Sequence, residues 1–243
     1  MITEPKFLCS PDYDPLIRED ILNVILKQRP RALTQAMLAA MEEMQSYLSS
    51  RYDLKKVFAP LVPWQKTKNY VKDMRILFYA EAYNKTAGYQ ADDLVSFVMP
   101  GTNNEDKIYR ATEDITPGIA PGAAGNKWEE LAWNNSAYAV KAGSAAAGTL
   151  PTDQDKFAPD TRNALIVTYL VDMTLYHVHS AINPQKIPDL RGIRYEAAIT
   201  WLKAVSKGSL NPDLPILIDE SGGTPSHSGR IAYGSNPKRA HRF

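Results

Sequence analysis

The sequence has a helical pattern at both ends and loses it in the middle, and that split decides what the chain can fold into. The stretch "DTRNALIVTYLVDMTLYHVHSAI" (160–182) is apolar over most of a helical circumference. Such a helix is buried on several sides or packed between neighbours. Asn183, Pro184 and Pro188 break it, and "LRGIRYEAAITWLKAVSKG" follows. There Ile193, Ala197, Trp201, Leu202 and Val205 fall on one face, with Gly208 as a natural stop. At the other end, "PLIREDILNVILKQ" places Leu16, Ile17, Ile21, Ile25 and Leu26 at helical spacing, and Pro30 ends that helix. The next helix carries Leu33, Met37, Ala40, Met41, Met44, Tyr47 and Leu48 on one stripe, with Glu42, Glu43 and Gln45 on the other side. Neither end is long enough to build a good core alone. Their apolar faces are expected to pair as one discontinuous helical domain formed by 1–58 and 160–208.

Residues 59–159 change character. Pro, Gly, Asn, Thr and Tyr rise, and the segments between turn signals read as short strands. The region repeats itself. "NYVKDMRILF" and "GYQADDLVSF" share a Tyr-x-x-Asp-x-x-apolar-x-Phe pattern, so Tyr70, Asp73, Ile76 and Phe78 answer Tyr89, Asp92, Val95 and Phe97. "WNNSAYAV" (133–140) reads as a third, partial copy, and "KAGSAAAGTLPTDQDK" (141–156) as a flexible return linker. Residues 209–243 form an extended tail with two strand candidates, "LPILI" and "RIAYG". The expected class is α+β: a discontinuous helical bundle, a small inserted β-rich domain and a C-terminal extended tail.

Chemistry is scarce. With 28 basic and 27 acidic residues, the net charge of +1 points to neither nucleic acid nor a membrane surface. One cysteine, Cys9, permits no intrachain disulfide. The opening residues lack the pattern of a signal peptide, and the most apolar run, "ALIVTYLVDM", is too short to span a bilayer. His177 and His179 lie two apart, so an intact helix points them away from each other, and helical zinc pairs need a spacing of four. Packing and ordinary hydrogen bonding are expected of both. No Gly-x-Ser-x-Gly and no phosphate-cradling loop occur. No catalytic, metal-binding or cofactor-binding residues are expected. The insert's Tyr70, Tyr89, Tyr109, Trp128 and Trp133 read either as the core of a small β domain or as a sugar-stacking platform.

Several pieces, in order, resemble a tailed-phage head–tail joining protein of the Mu-like prophage neck family. "FLCSPDYDPLIREDIL" is followed by Tyr47, Leu48, Arg51 and Tyr52, which match the family's Tyr-Leu-x-x-Arg-Tyr helix end. The Tyr-rich apolar helix around Tyr169 and Tyr176 comes next. Arg194, Tyr195, Glu196, Ala198, Trp201, Leu202, Lys207 and Gly208 then match Arg-Tyr-Glu-x-Ala-x-x-Trp-Leu and the Lys-Gly end. The likeness covers about residues 5–58 and 160–243.

The insert departs from that family. "YQADDLVSF", "KIYRATEDI" and "KWEEL" are similar to small chitin-type carbohydrate-binding modules, with Ala91 where the pattern prefers Gly.

The resemblance implies a ring-forming neck adaptor, a structural virion protein and not an enzyme. It would be assembled in the host cytoplasm as a ring of twelve below the portal. Its partners would be other copies of itself, the portal, tail or other neck proteins, and DNA in the lumen, with no membrane. The helical scaffold would rest on Tyr47, Leu48, Tyr52, Tyr195, Trp201 and Leu202. Subunit or portal contacts would fall on Arg230, Ile231, Tyr233, Lys238, Arg239, Arg242 and Phe243. Glycan or protein contacts on the insert would fall on Tyr89, Tyr109, Trp128 and Trp133. The alternative is a glycan-binding virion or surface protein acting through the insert.

Overall fold

A computed structural model describes residues 7–218, apart from 28, 102–104, 124, 126, 142, 184 and 186. Among them the class is α+β, with helices and three small sheets. A short 3-10 turn (Ser10–Asp12) precedes α1 (Glu19–Leu26), α2 (Ala32–Leu48) and α3 (Leu54–Val57). The strands are β1 (Leu61–Pro63), β2 (Tyr70–Val71), β3 (Arg75–Phe78), β4 (Leu94–Val98), β5 (Asp106–Ala111), β6 (Trp128–Trp133), β7 (Ser136–Val140), β8 (Ser144–Ala145) and β9 (Phe157–Pro159). Helices α4 (Ala164–Ile182) and α5 (Asp189–Ser206) complete the order.

The two helical ends share one core. Met37, Ala40, Met44 and Leu48 of α2 meet Ile166, Leu170, Met173 and Leu175 of α4, with Ala198, Leu202 and Val205 of α5. Asn163 starts α4 by accepting hydrogen bonds from the backbone N–H groups of Leu165 (3.0 Å) and Ile166 (3.2 Å). By length and composition α4 could cross a membrane, contrary to the expectation from its shorter apolar run. Here its buried side chains pack between α2 and α5, while Leu165 stays exposed. Its Asp172 is buried and faces Arg194 (3.4 Å) and Arg191 (3.9 Å) of α5.

Two helix faces differ from expectation. In α1 the buried residue is Leu22, while Ile21 points outward and Leu16 and Ile17 precede the helix. In α5 the buried line is Ala198, Leu202 and Val205; Ile193 and Ala197 are exposed. Buried Arg191, which donates to the Leu16 carbonyl (2.9 Å), rotates the start of α5 inward by its charged residue instead of by Ile193.

The middle of the chain is a nested duplication. The first copy pairs β1, β3, β7 and β9 in that order, with β1 parallel to β3. The second pairs β4, β5 and β6, and a parallel bridge from Ala82 to Ser96 stands in for β1. The second copy lies wholly between β3 and β7, the antiparallel pair of the first.

Equivalent residues make equivalent bonds. The Gln65 N–H donates to the Tyr70 hydroxyl at 2.6 Å, and the Asn84 N–H to the Tyr89 hydroxyl at 2.7 Å. Asp73 and Asp92 both take left-handed backbone, at φ 67° and 68°. Their N–H groups reach Val140 (3.0 Å) and Ala111 (2.8 Å) on the return strands. Further on, Lys141 and Thr112 donate to the carbonyls of Lys156 (2.8 Å) and Lys127 (2.9 Å).

This corrects two expectations. "WNNSAYAV" is no third copy; it is the turn and strand that return to the first. Residues 141–156 are no plain linker, since β8 pairs with β2 there before buried Phe157 opens β9. Of the tail, "LPILI" makes a single bridge, Tyr52 to Ile216, with the Leu217 N–H on the Arg51 carbonyl (3.0 Å).

Candidate functional site

The aromatic candidates of the insert separate by depth. Tyr70, Tyr109 and Trp128 are buried. Trp128 packs among Tyr83 and Tyr89, edge-on to both, and its indole N–H donates to the Ile119 carbonyl at 3.0 Å. In the first copy the matching loop carbonyl, Thr149, is reached at 3.0 Å by the indole of Trp64 instead. The tryptophan has changed sides: one copy pairs Trp64 with Phe157, the other Tyr83 with Trp128. Each fills its small core with one large and one smaller ring, and each indole satisfies the same loop. These rings are therefore structural, and Tyr109 and Trp128 are withdrawn from any surface contact. Tyr89 is half-buried, stacked on Tyr83 at 5.7 Å.

Trp133 alone among the four stands out, 52 % exposed at the end of β6. The Lys107 ammonium lies 5.0 Å from its ring centre. Lys107 is itself held by Glu130 (2.7 Å) and Glu105 (3.6 Å), and its hydrogen bond to Glu130 leads in raising its pKa. A flat ring backed by a fixed cation suits stacking against a sugar, a peptide or another ring. A single ring is not a platform.

One of the expected scaffold residues, Tyr195, meets Glu43 of α2. Glu43 accepts a hydrogen bond from the Tyr195 hydroxyl (2.6 Å), and its other oxygen lies 3.2 Å from His177 Nε2. Tyr195 stacks on Tyr176 at 4.1 Å. Burial, then the bond to Glu43, pushes the Tyr195 phenol up. Glu43 thus ties α2 to α4 and α5. Periodicity placed it on the solvent side, and no sequence signal gave it a partner. His179 is half-buried, its pKa lowered by burial and by Arg191. The two histidines share no partner, and the described residues hold no group of three or more metal-ligating side chains. Of the remaining scaffold residues, Leu48, Tyr52 and Leu202 are buried in the shared core. Tyr47 and Trp201 pack at its margin, Trp201 against Tyr169.

A second cluster joins the first described residues to the start of α4. Arg162, with a side chain 2 % exposed, holds Asp12 through both nitrogens (2.7 and 2.9 Å), Asp160 and the Phe7 carbonyl (2.6 Å). Burial opposes its charge, but the bonds to Asp160 and Asp12 outweigh burial and keep it protonated. Cys9 sits beside it, 3.3 Å from Asp12, its thiol pushed up to about 12 by burial and by Asp12. That is the opposite of a nucleophile's environment.

The outer surface carries apolar side chains that no contact among the described residues explains. Ile21 and Val24 face outward on α1, the latter 73 % exposed, and Leu190 and Ile193 do so on α5. The bond from Arg191 to the Leu16 carbonyl ties the start of α5 to the segment that leads into α1. The tail candidates Arg230, Ile231, Tyr233, Lys238, Arg239, Arg242 and Phe243 lie outside the described residues. No protein-family model, curated protein or solved structure matches the chain.

Proposed function

We propose that this chain is a structural virion protein that joins portal to tail as a ring-forming neck adaptor, its helical bundle being of the connector type. The observation that carries the reading is the exposed apolar set on α1 and α5, Ile21, Val24, Leu190 and Ile193, on a bundle whose own core is already closed. Two such helices, held near each other through the Arg191–Leu16 bond, offer an apolar surface of the kind that protein contacts cover. The order of helices that resembles the neck family supplies the identity of that contact. The work is assembly: each wedge presents one helical face to its neighbour, and a ring of twelve adds modest contacts into a firm junction. Portal, tail and neck proteins are the partners, and a net charge of +1 suits a lumen through which DNA slides without being gripped.

Sedimentation of the purified chain with purified portal rings tests this. Co-sedimentation that disappears in Val24→Asp/Ile193→Asp, with the circular dichroism spectrum unchanged, is the expected result. No association with portal at any concentration removes the reading.

Exposed Trp133 favours a second reading, glycan binding through the insert. It requires that a glycan array on the whole chain give signals that Trp133→Ala abolishes.

A further inference from the structure

A cleft of about 1040 Å³ runs between the helices and the β copies, walled by the 3-10 turn, α1, α2 and the turn from β6 to β7. Its floor is apolar, with Leu26 and Leu33 on the helical side and Trp133 opposite. Its charges are one-sided. Asp14, Glu19, Glu105 and Asp106 line it besides Asp12 and Asp160, and among the described residues Arg162 is the single basic one in the lining. That arginine is already taken by Asp12 and Asp160. Asp14 feels the crowding: burial, then Glu19 and Asp12, raise its carboxyl above the ordinary range. Six acidic residues thus line one apolar cleft; Arg162 holds Asp12 and Asp160, Lys107 lies 3.6 Å from Glu105, and Asp14, Glu19 and Asp106 add carboxylates beyond these pairs.

The complementary charge is in the same sequence. From Arg230 to Phe243, "RIAYGSNPKRAHRF" holds four basic residues and no acidic ones, together with Ile231, Tyr233 and Phe243. The last described residue is Ile218. The stretch between Ile218 and Arg230 spans about 40 Å when extended. A compact chain of this length has a radius of gyration of about 18 Å. The chain end is tied at the Tyr52–Ile216 bridge just beyond α2, whose Leu33 lines the cleft; α2 is about 25 Å long, so the tether reaches the cleft, at the millimolar effective concentration that a short tether supplies.

We infer that the cleft between α1 and the β6–β7 turn is the docking site for the chain's own segment Arg230–Phe243. Its arginines and Lys238 meet the carboxylates, and its apolar residues meet Leu26, Leu33 and Trp133. The inference stands apart from the neck-adaptor reading. Under that reading it adds that the free subunit stores its tail, and that assembly exchanges it onto a neighbour.

Carbodiimide coupling of the full-length chain, followed by peptide mass spectrometry, tests the docking. Lys238 is expected to couple to Asp14, Glu19, Glu105 or Asp106. Mixing isotope-labelled with unlabelled chains is expected to give links within single chains. Arg239→Gln/Arg242→Gln, which leaves Lys238 and every described residue in place, is expected to cut the yield about tenfold. About 0.5 M salt is expected to cut it similarly. No coupling of Lys238, coupling only to carboxylates outside the cleft, links only between chains, or yields indifferent to the arginines each overturn the inference.

Discussion

Replacing Arg162 by methionine tests the junction between the N-terminal segment and α4. The guanidinium side chain is 2 % exposed and the Asp12 carboxylate 10 % exposed. Methionine keeps much of the volume and removes the charge, so the loss comes from stranding Asp12. Breaking a buried pair by removing one partner costs about 3–5 kcal/mol. Asp12 keeps a bond from the Cys9 N–H (2.7 Å), which places the expectation at the low end, about 3 kcal/mol. That is a large part of a typical total of about 5–15 kcal/mol. Urea unfolding at neutral pH reads it. The pair is coupled, so Asp12→Asn/Arg162→Met should lose less than the sum of its single variants by about 1–2 kcal/mol. A loss below about 1 kcal/mol, or simple additivity, would refute the claim that this pair fastens the segment.

The remaining predictions concern pH, the two copies and the bundle core. Cys9 has a thiol raised from 9.0 to about 12, so the folded state keeps a proton that the unfolded state releases. Its contribution is full below pH 9 and is lost as pH rises toward 12; a Cys9→Ala variant, compared by urea unfolding across that window, should show a shallower slope, the raised tyrosines such as Tyr195 keeping the rest. Tyr70→Phe removes the part-buried acceptor of the Gln65 N–H and should cost about 1 kcal/mol by urea unfolding, whereas Tyr89→Phe, at an exposed bond, should cost less. Asp73→Val and Asp92→Val, at positive φ, should each lose about 1–2 kcal/mol in thermal melts while the glycine variants do not; unequal responses would count against equivalent copies. Leu202→Ala, fully buried between helices, should cost about 2–5 kcal/mol in the same measurement.

The helical stripe of α2 was legible because Met37, Ala40, Met44 and Leu48 recur at three and four, a period that burial alone enforces. The tyrosine and aspartate echo in the middle was legible for a similar reason, since each marks a turn that the fold uses twice. The return halves of the copies were not. Tyr109 with Ala111 answers Tyr138 with Val140, and Trp128 answers Phe157, but strand pairing asks only for comparable size there. The tryptophan that changed sides hid the match further. On α5 the periodic reading failed because Arg191 takes an inward position whose charge is met by Asp172 on another helix, a compensation visible only in three dimensions. Glu43, Asp12 and Arg162 have partners 152 and 150 residues away, and local pattern carries no trace of them.

The neck-adaptor account depends most on what is missing from a particle that lacks this chain. Electron microscopy of particles from a phage with a nonsense mutation in the gene answers that directly. Heads filled or leaking beside detached, complete tails are the predicted result. Complete virions that fail only in attaching to cells would contradict it and transfer the function to the insert and Trp133.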